Sequence, residues 1–346
     1  MMSSSVQTVV IFGATGAVGT SLCERLARKQ PSWQIQAVTR DANGTSRLAQ
    51  LNLPNVHMVV GNPFDLQDVL KLTREADIIV SCIGFHKYQA SYWKKHWPVI
   101  LENLLAGATQ EGHPPRRLVF CDNLYAYGAG HDTPISPTTT SPVPPSWRTK
   151  PGIRSHMRQR FQAHMQAYPG TLAVVGASDF FGPHVTATSF LGDTMTGKIV
   201  KEGAAPLAIG SATAVHDFCY VPDFAHALAV ACTDDRALDK FWVCPHAVKG
   251  KTMTEIARDI AAKHHKEDEP NANKPVQVSV LPSFLVYLLS PFMEFMWEMI
   301  EMLPFWTKDY RVDDSDFIET FGVQATSSDE ALGDLVAFYQ EQNPKA

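Results

Sequence analysis

The stretch Val9-Val10-Ile11-Phe12-Gly13-Ala14-Thr15-Gly16-Ala17-Val18-Gly19 decides the fold. Its first four residues are a short apolar run of the kind that forms a buried strand. After the glycines, Val18, Leu22 and Leu26, with Cys23 and Ala27, recur at three to four residues and predict a helix with one buried face. Between strand and helix the glycines are spaced G-x-x-G-x-x-G. Gly13 allows the tight turn, Gly16 lets backbone approach a pyrophosphate, and Gly19 lets helix and strand pack closely. The N–H groups at the helix start would then face phosphate oxygens, so Gly13, Thr15, Gly16, Ala17, Val18 and Gly19 are the expected dinucleotide cradle.

Further strands are expected at Ile35–Val38, His57–Val60, Ile78–Cys82, Leu118–Cys121 and Leu172–Val175, with helix-like stretches such as Leu66–Leu72 and Trp97–Ala106 between them. Short apolar strands alternating with helices imply a parallel sheet covered on both faces, a doubly wound α/β domain. The end of the second strand selects the dinucleotide. An NAD site carries an acidic residue there, whereas this chain reads Ala37-Val38-Thr39-Arg40. A guanidinium suits a 2′-phosphate, so NADP(H) is expected over NAD(H), with Asp41 as a competing carboxylate one residue late. Asn62 is placed at the adenine edge, and Ile83 and Gly84 beside the cofactor.

Gly128–Pro151 carries prolines at 134, 137, 142, 144, 145 and 151 and a Thr-Thr-Thr run, so it reads as an irregular loop. After Phe181 the strand–helix rhythm weakens. Residues 1–182 are expected to form the dinucleotide-binding core, with 207–244 returning to the sheet near His216–Val230. Residues 183–206 and 245–346 would form a smaller, mainly helical substrate-binding cap. The greasy segment Phe284–Trp297, interrupted by Ser290, Pro291 and Glu294, is too short for a membrane span and reads as a buried helix pair bent at Pro291. Peripheral membrane contact through 284–306 is the competing reading.

The chain's 346 residues are 45% apolar and 19% charged, with a formal charge of −5, which excludes disorder and a strongly basic nucleic-acid footprint. No nucleic-acid partner is expected. Six scattered cysteines without a C-x-x-C pair suggest neither a disulfide framework nor zinc, and Met1–Thr8 lacks a secretory pattern, so a reducing, cytoplasmic setting is expected. The His264-His265 pair reads as a solvated helix end, and no metal is expected.

Four further segments extend the pattern. Asn123-Leu124-Tyr125-Ala126-Tyr127-Gly128 resembles an S-x-x-V-Y-G segment, and Ala177-Ser178-Asp179-Phe180-Phe181-Gly182-Pro183 resembles R-x-x-x-x-Y-G-P. His216 to Asp223 resembles F-x-x-V-x-D, and Arg311-Val312-Asp313 through Phe321-Gly322 resembles D-x-S-K-x-x-x-x-L-G. With GATGAVG, these make the chain similar to the extended short-chain dehydrogenase/reductases of the NAD(P)-dependent epimerase/dehydratase type. The resemblance spans nearly the whole chain and implies a Rossmann core with a C-terminal substrate cap.

It also implies a catalytic tyrosine, a lysine four residues on that lowers the phenol's pKa, and a serine or threonine holding the same oxygen. This chain departs from all three. Asn123 takes the serine position, Pro151 that of the tyrosine and Ser155 that of the lysine. The substitutes are ranked Tyr125 first as proton donor, Asn123 as oxygen-holder, then Lys150 and His156. Tyr127 would line the pocket, and Arg154 begins the same helix. His86, Tyr88, Tyr92, Trp93, His96 and Trp97 suit an apolar ligand or a packed helix face equally. Asp179, Asp217 and Asp223 are expected to cap or brace backbone.

The expected function is an NADP(H)-dependent oxidoreductase acting on a carbonyl or alcohol of a hydrophobic small molecule. A redox-neutral isomerase, epimerase or cyclase, and a non-catalytic NADP(H) sensor, are the alternatives. Homodimer formation is left open.

Overall fold

A computed structural model describes residues 6–40, 46–264 and 276–343. Asp41, His265 and Lys266 lie outside the described residues. Strands β1 (Thr8–Phe12), β2 (Gln34–Thr39), β3 (Val56–Val60), β4 (Ile78–Ser81), β5 (Arg117–Asn123) and β6 (Leu172–Ala177) alternate with helices α1 (Ala17–Lys29), α2 (Arg47–Gln50), α3 (Leu66–Thr73), α4 (Ala90–Ala108) and α5 (Lys150–Ala167). Then follow β7 (Asp179–Phe181), α6 (Lys198–Glu202), β8 (Leu207–Ile209), β9 (Phe218–Tyr220), α7 (Val221–Thr233), β10 (Lys240–Val243), α8 (Met253–His264) and β11 (Ser279–Leu281). Five helices close the chain: α9 (Ser283–Leu289), α10 (Glu294–Ile300), α11 (Leu303–Thr307), α12 (Ser315–Phe321) and α13 (Ser328–Glu341).

Seven strands form one sheet in the order β10-β6-β5-β4-β1-β2-β3, every pairing parallel. The order reverses between β1 and β4, which opens a crevice at the strands' carboxyl ends. Side chains alternate between the faces. Val10 and Phe12 of β1 point into a core shared with Trp97, Leu104 and Phe161, while Val9 and Ile11 meet Leu22, Leu26 and Leu228 on the other side. Burial on both faces explains why these strands read as unbroken apolar runs.

Two readings of the sequence need correction. The strand that completes the sheet is β10, whereas His216–Val230 forms β9 and the helix α7. The β9 strand pairs instead with β7, Asp179 opposite Phe218, in a separate two-stranded sheet. The greasy segment does fold as two short helices separated near Pro291, but it is not buried. Val286 and Met299 face inward, while Phe284, Tyr287, Leu288, Phe295 and Trp297 are exposed and Phe292 is 85% exposed. These helices have one inner face to bury and apolar residues on both. Among the described residues no helix is long and apolar enough to cross a membrane.

Candidate functional site

The turn after β1 follows the glycine logic residue by residue. Gly13 has φ +77°, and a Cβ there would lie 2.6 Å from the Cys82 carbonyl oxygen. A Cβ on Gly19 would lie 2.3 Å from the Gly13 carbonyl oxygen, so helix and strand touch through backbone. Gly16 differs: it is exposed, has φ −73°, and its Cβ would meet nothing closer than 3.4 Å. No internal contact demands glycine there, which leaves an open cradle beside Thr15. Gly16 caps α1 without a side chain, so the first-turn amides of Ala17, Val18 and Gly19 have no capping group of their own, and the first turn carries no acidic residue. These features fit a bound pyrophosphate.

The other expected cofactor residues lie along the same carboxyl edge. Arg40, exposed, directly follows β2. Asn62 follows β3 and turns its Oδ1 to accept from the Phe64 amide. Ile83 follows β4 and packs on the core, and a Cβ on Gly84 would meet nothing within 4 Å. Tyr125 follows β5, two strands from β1, roughly 10 Å away across the sheet.

The proton-donor candidates separate sharply. Asn123 accepts the Tyr125 amide at 3.2 Å and thereby caps the 3-10 turn Leu124–Tyr127. That bond uses one of the two lone pairs of the Asn123 oxygen. Lys150 is fully buried: its Nζ lies 2.6 Å from Glu298 Oε2, 2.5 Å from Glu301 Oε1 and 3.1 Å from the Glu298 carbonyl. It also sits 4.6 Å over the Tyr88 ring. Its charge is therefore spent clamping α5 to α10. His156 stacks on Trp147 at 4.1 Å, and burial lowers its pKa. Arg154 pairs with Asp122 at 2.8 Å under Trp93 and Trp97. Ser155, in the usual lysine's place, donates to the Val143 carbonyl at 2.6 Å. Among the described residues the Tyr127 hydroxyl is buried with no partner at hydrogen-bond geometry, and the Arg158 guanidinium lies 5.0 Å from its ring.

Tyr125 stands in a network of other hydroxyl, carboxylate and imidazole groups. Its ring stacks on Trp93 and packs near Phe305. Its hydroxyl donates to Asp179 Oδ1 at 3.1 Å and accepts from the Tyr88 hydroxyl at 3.0 Å. Asp179 Oδ2 lies 2.8 Å from His216 Nε2. Burial first, and then the charge of Asp179, push the Tyr125 and Tyr88 phenols above their ordinary range. Both are therefore held protonated, opposite to the tyrosinate that a nearby lysine would favour.

Sequence reading missed Asp179 and His216. Asp217 and Asp223 do brace backbone, at the amides of Gly250, Val312 and Thr326. Asp179 instead faces a tyrosine and a histidine, because the β7–β9 pairing brings two segments from one carboxyl edge together. Their signal lay in the quoted A-S-D-F-F-G-P and H-D-F segments, which by themselves do not show the pairing. Among the described residues, no three His, Cys, Asp or Glu side chains group as metal ligands. All six cysteines are free.

The family model of the NAD dependent epimerase/dehydratase family matches residues 9–244. The chain belongs to that family. Its fold is shared with dTDP-glucose 4,6-dehydratase from Bacillus anthracis, solved in complex with NAD, at 14% identity and TM-score 0.75 over 98% of each chain. UDP-glucuronic acid 4-epimerase from Bacillus cereus, in complex with NAD, shares 12% identity with TM-score 0.73, again over 98% of each chain. UDP-glucose 4-epimerase from Thermotoga maritima, solved with UDP-glucose, covers 97% of this chain and 99% of its own, at 14% identity and TM-score 0.71. No curated protein matches by sequence. The Rossmann core with its helical C-terminal part thus agrees with the family, while the Tyr-x-x-x-Lys positions hold Pro151 and Ser155.

Proposed function

We propose that the chain is a dinucleotide-dependent oxidoreductase acting on a carbonyl or alcohol of an apolar small molecule, with Tyr125 carrying the proton and NADP(H) preferred. The observation that carries the reading is the Tyr88–Tyr125 phenol pair at the β5 end of the sheet edge that also holds the glycine cradle. Both phenols are kept protonated and so stand as donors. Gly13, Thr15, Gly16, Ala17, Val18 and Gly19 would hold the pyrophosphate, Arg40 the 2′-phosphate, and Asn62, Ile83 and Gly84 the adjacent edge. NAD appears in the names of five structural neighbours and favours the unphosphorylated form; the exposed guanidinium after β2 supports the phosphorylated form here.

When bound, the dinucleotide supplies or accepts hydride at the substrate carbon. Tyr125 gives its hydroxyl proton to the oxygen on that carbon. Tyr88 fixes the Tyr125 oxygen by donating to it, and the ring of Trp93 holds the phenol's plane. Trp93 and Phe305 pack against the phenols and Tyr310 packs behind Phe305, an aromatic surface that favours an apolar substrate over a sugar nucleotide. Asn123, bound to backbone, would orient the Tyr125 turn.

The test follows NADPH absorbance with purified protein and a panel of apolar ketones, enones and aldehydes. Turnover that falls at least 100-fold in Tyr125→Phe, with NADPH still bound, supports the reading. Product formed without net NADPH change would replace it with redox-neutral isomerisation. Binding without chemistry on any member would make the chain a sensor.

A further inference from the structure

The buried polar row that ends at Tyr125 continues beyond what the proposed reaction uses. His216 is 2% exposed and stacks on Trp306, ring centroids 4.2 Å apart and planes 3° from parallel. Its Nδ1 lies 3.1 Å from the Phe305 carbonyl oxygen and its Nε2 2.8 Å from Asp179 Oδ2. The backbone fixes both partners. Asp179 sits on β7 opposite Phe218, two residues from His216, and Tyr310 bridges to His216 and so presses α11 against the ring.

Hydrogen-bond inventory then counts the protons. A carbonyl oxygen can only accept, so Nδ1 must carry a proton. A neutral ring protonated at Nδ1 would aim its Nε2 lone pair at the Asp179 carboxylate. The other neutral tautomer would aim the Nδ1 lone pair at the Phe305 oxygen. Both contacts are satisfied only when the pair holds one proton more than imidazole plus carboxylate, either on the ring or on Asp179. The dyad is built to be loaded, and its second oxygen is already hydrogen-bonded to Tyr125.

We infer that Asp179 and His216 store the proton that Tyr125 delivers. This rests on the oxidoreductase reading above. In the reducing direction the Tyr125 Oη–H bond breaks and the proton goes to the substrate oxygen as hydride from the bound dinucleotide reaches the carbon. The phenolate is reprotonated from the dyad: His216 Nε2 gives its proton to Asp179 Oδ2, the carboxyl turns that O–H onto the Tyr125 oxygen, and the Oδ2–H bond breaks there. The phenol is whole again, leaving neutral imidazole beside carboxylate. Hydride plus proton make one two-electron reduction, and the positive charge lost by the dyad matches that gained by the oxidised dinucleotide. Oxidation runs the same steps backward and reloads the pair. Asp179 and His216 are thus positioning residues that act through Tyr125.

The experiment reads the proton directly in the full chain without dinucleotide. Protein labelled with ¹⁵N-histidine and ¹³C-aspartate is observed by NMR at neutral pH, with His216→Gln and Asp179→Asn assigning the signals. The expected result is a His216 ring protonated on both nitrogens, or on Nδ1 beside a protonated Asp179 carboxyl. A neutral ring beside an ionised Asp179 overturns the inference; where a variant does not fold, through-bond correlation of the ring and carboxyl signals to the assigned backbone of the wild-type protein identifies them instead. In turnover, Asp179→Asn should lower kcat on the order of 100-fold or more with KM and NADPH affinity little changed. Full activity in Asp179→Asn while Tyr125→Phe is inactive overturns the relay and leaves the oxidoreductase standing. No turnover by the wild-type protein, with the dyad observed loaded, removes the delivery step and the oxidoreductase reading together but not the stored proton.

Discussion

Lys150→Met separates a clamp from a catalyst. Methionine keeps much of the stem's volume while deleting an ammonium that is 0% exposed. Its two partners stay behind, Glu298 at 12% and Glu301 at 19% side-chain exposure. Breaking a buried ion pair from one side costs about 3–5 kcal/mol, because the remaining charge is uncompensated. Two features moderate the cost here. Glu298 still accepts from the Ala90 amide, and Glu301 from the amide of residue 150. A third raises it, since two carboxylates formerly bridged by one cation now repel each other. The expectation is a loss of about 3 kcal/mol, read from the urea midpoint and slope. Salt at roughly 0.5 M should leave the loss unchanged, because a buried site is poorly screened. Adding Glu298→Gln and Glu301→Gln should restore most of it. A Lys150→Met protein within about 1 kcal/mol of wild type but without activity would refute the clamp and return Lys150 to the chemistry.

Gly19→Ala should destabilise the fold by about 1–3 kcal/mol, because its Cβ would meet the Gly13 oxygen at 2.3 Å. Gly16→Asp should melt no lower than wild type, since aspartate is a favourable helix cap, yet lose the thermal shift given by NADPH; equal destabilisation by both changes would refute the open cradle. Arg40→Ala should raise the NADP Kd by about 10-fold or more with NAD unaffected, measured by calorimetry, and equal losses would sink the cofactor assignment. Burial holds the His246 pKa down to about 4 against 6.5 unfolded, so the unfolded chain binds a proton first. Stability should therefore fall as pH drops from about 6.5 toward 4, by up to about 1.4 kcal/mol per unit, with Asp217 and Asp223 pulling the other way. The difference between wild type and His246→Gln isolates the slope, and a flat difference would contradict it.

Local pattern reveals what neighbours in sequence decide. The strand runs at Val9, Ile35, Ile78, Leu118 and Leu172 announce a parallel sheet because both faces of each strand are buried. The glycine turn was equally legible, since the positive φ of Gly13 and the Gly19–Gly13 contact act within seven residues, even though the wall against a Gly13 side chain comes from Cys82. What stayed hidden depends on long separations: Lys150 meets Glu298 148 residues away, Tyr125 meets Asp179 across 54, and Asp179 meets His216 across 37. The same limit explains the misread 284–297 segment. Apolar residues at nearly every position show no face, so periodicity could not tell that Phe292 and Trp297 point outward.

The loss of the Tyr-x-x-x-Lys pair changes which protonation form of the phenol rests in the site. A lysine beside a tyrosine stabilises the phenolate and lets one group serve as acid and base. Here the nearby ammonium belongs to Lys150, is neutralised by two glutamates, and lies over the Tyr88 ring face. Burial and Asp179 act on the phenols instead, and both raise the pKa. A phenol so placed is a poor base for an alcohol's proton. It remains a competent acid toward the alkoxide formed as hydride arrives, because an alkoxide is more basic than a phenolate. A proton held one hydrogen bond behind it, between Asp179 and His216, suits the same resting form. Raising the pH should therefore speed oxidation of the alcohol, which must start from a deprotonated phenol, and leave reduction of the carbonyl unchanged below the phenol's raised pKa; an oxidation rate that does not rise with pH would refute the assignment.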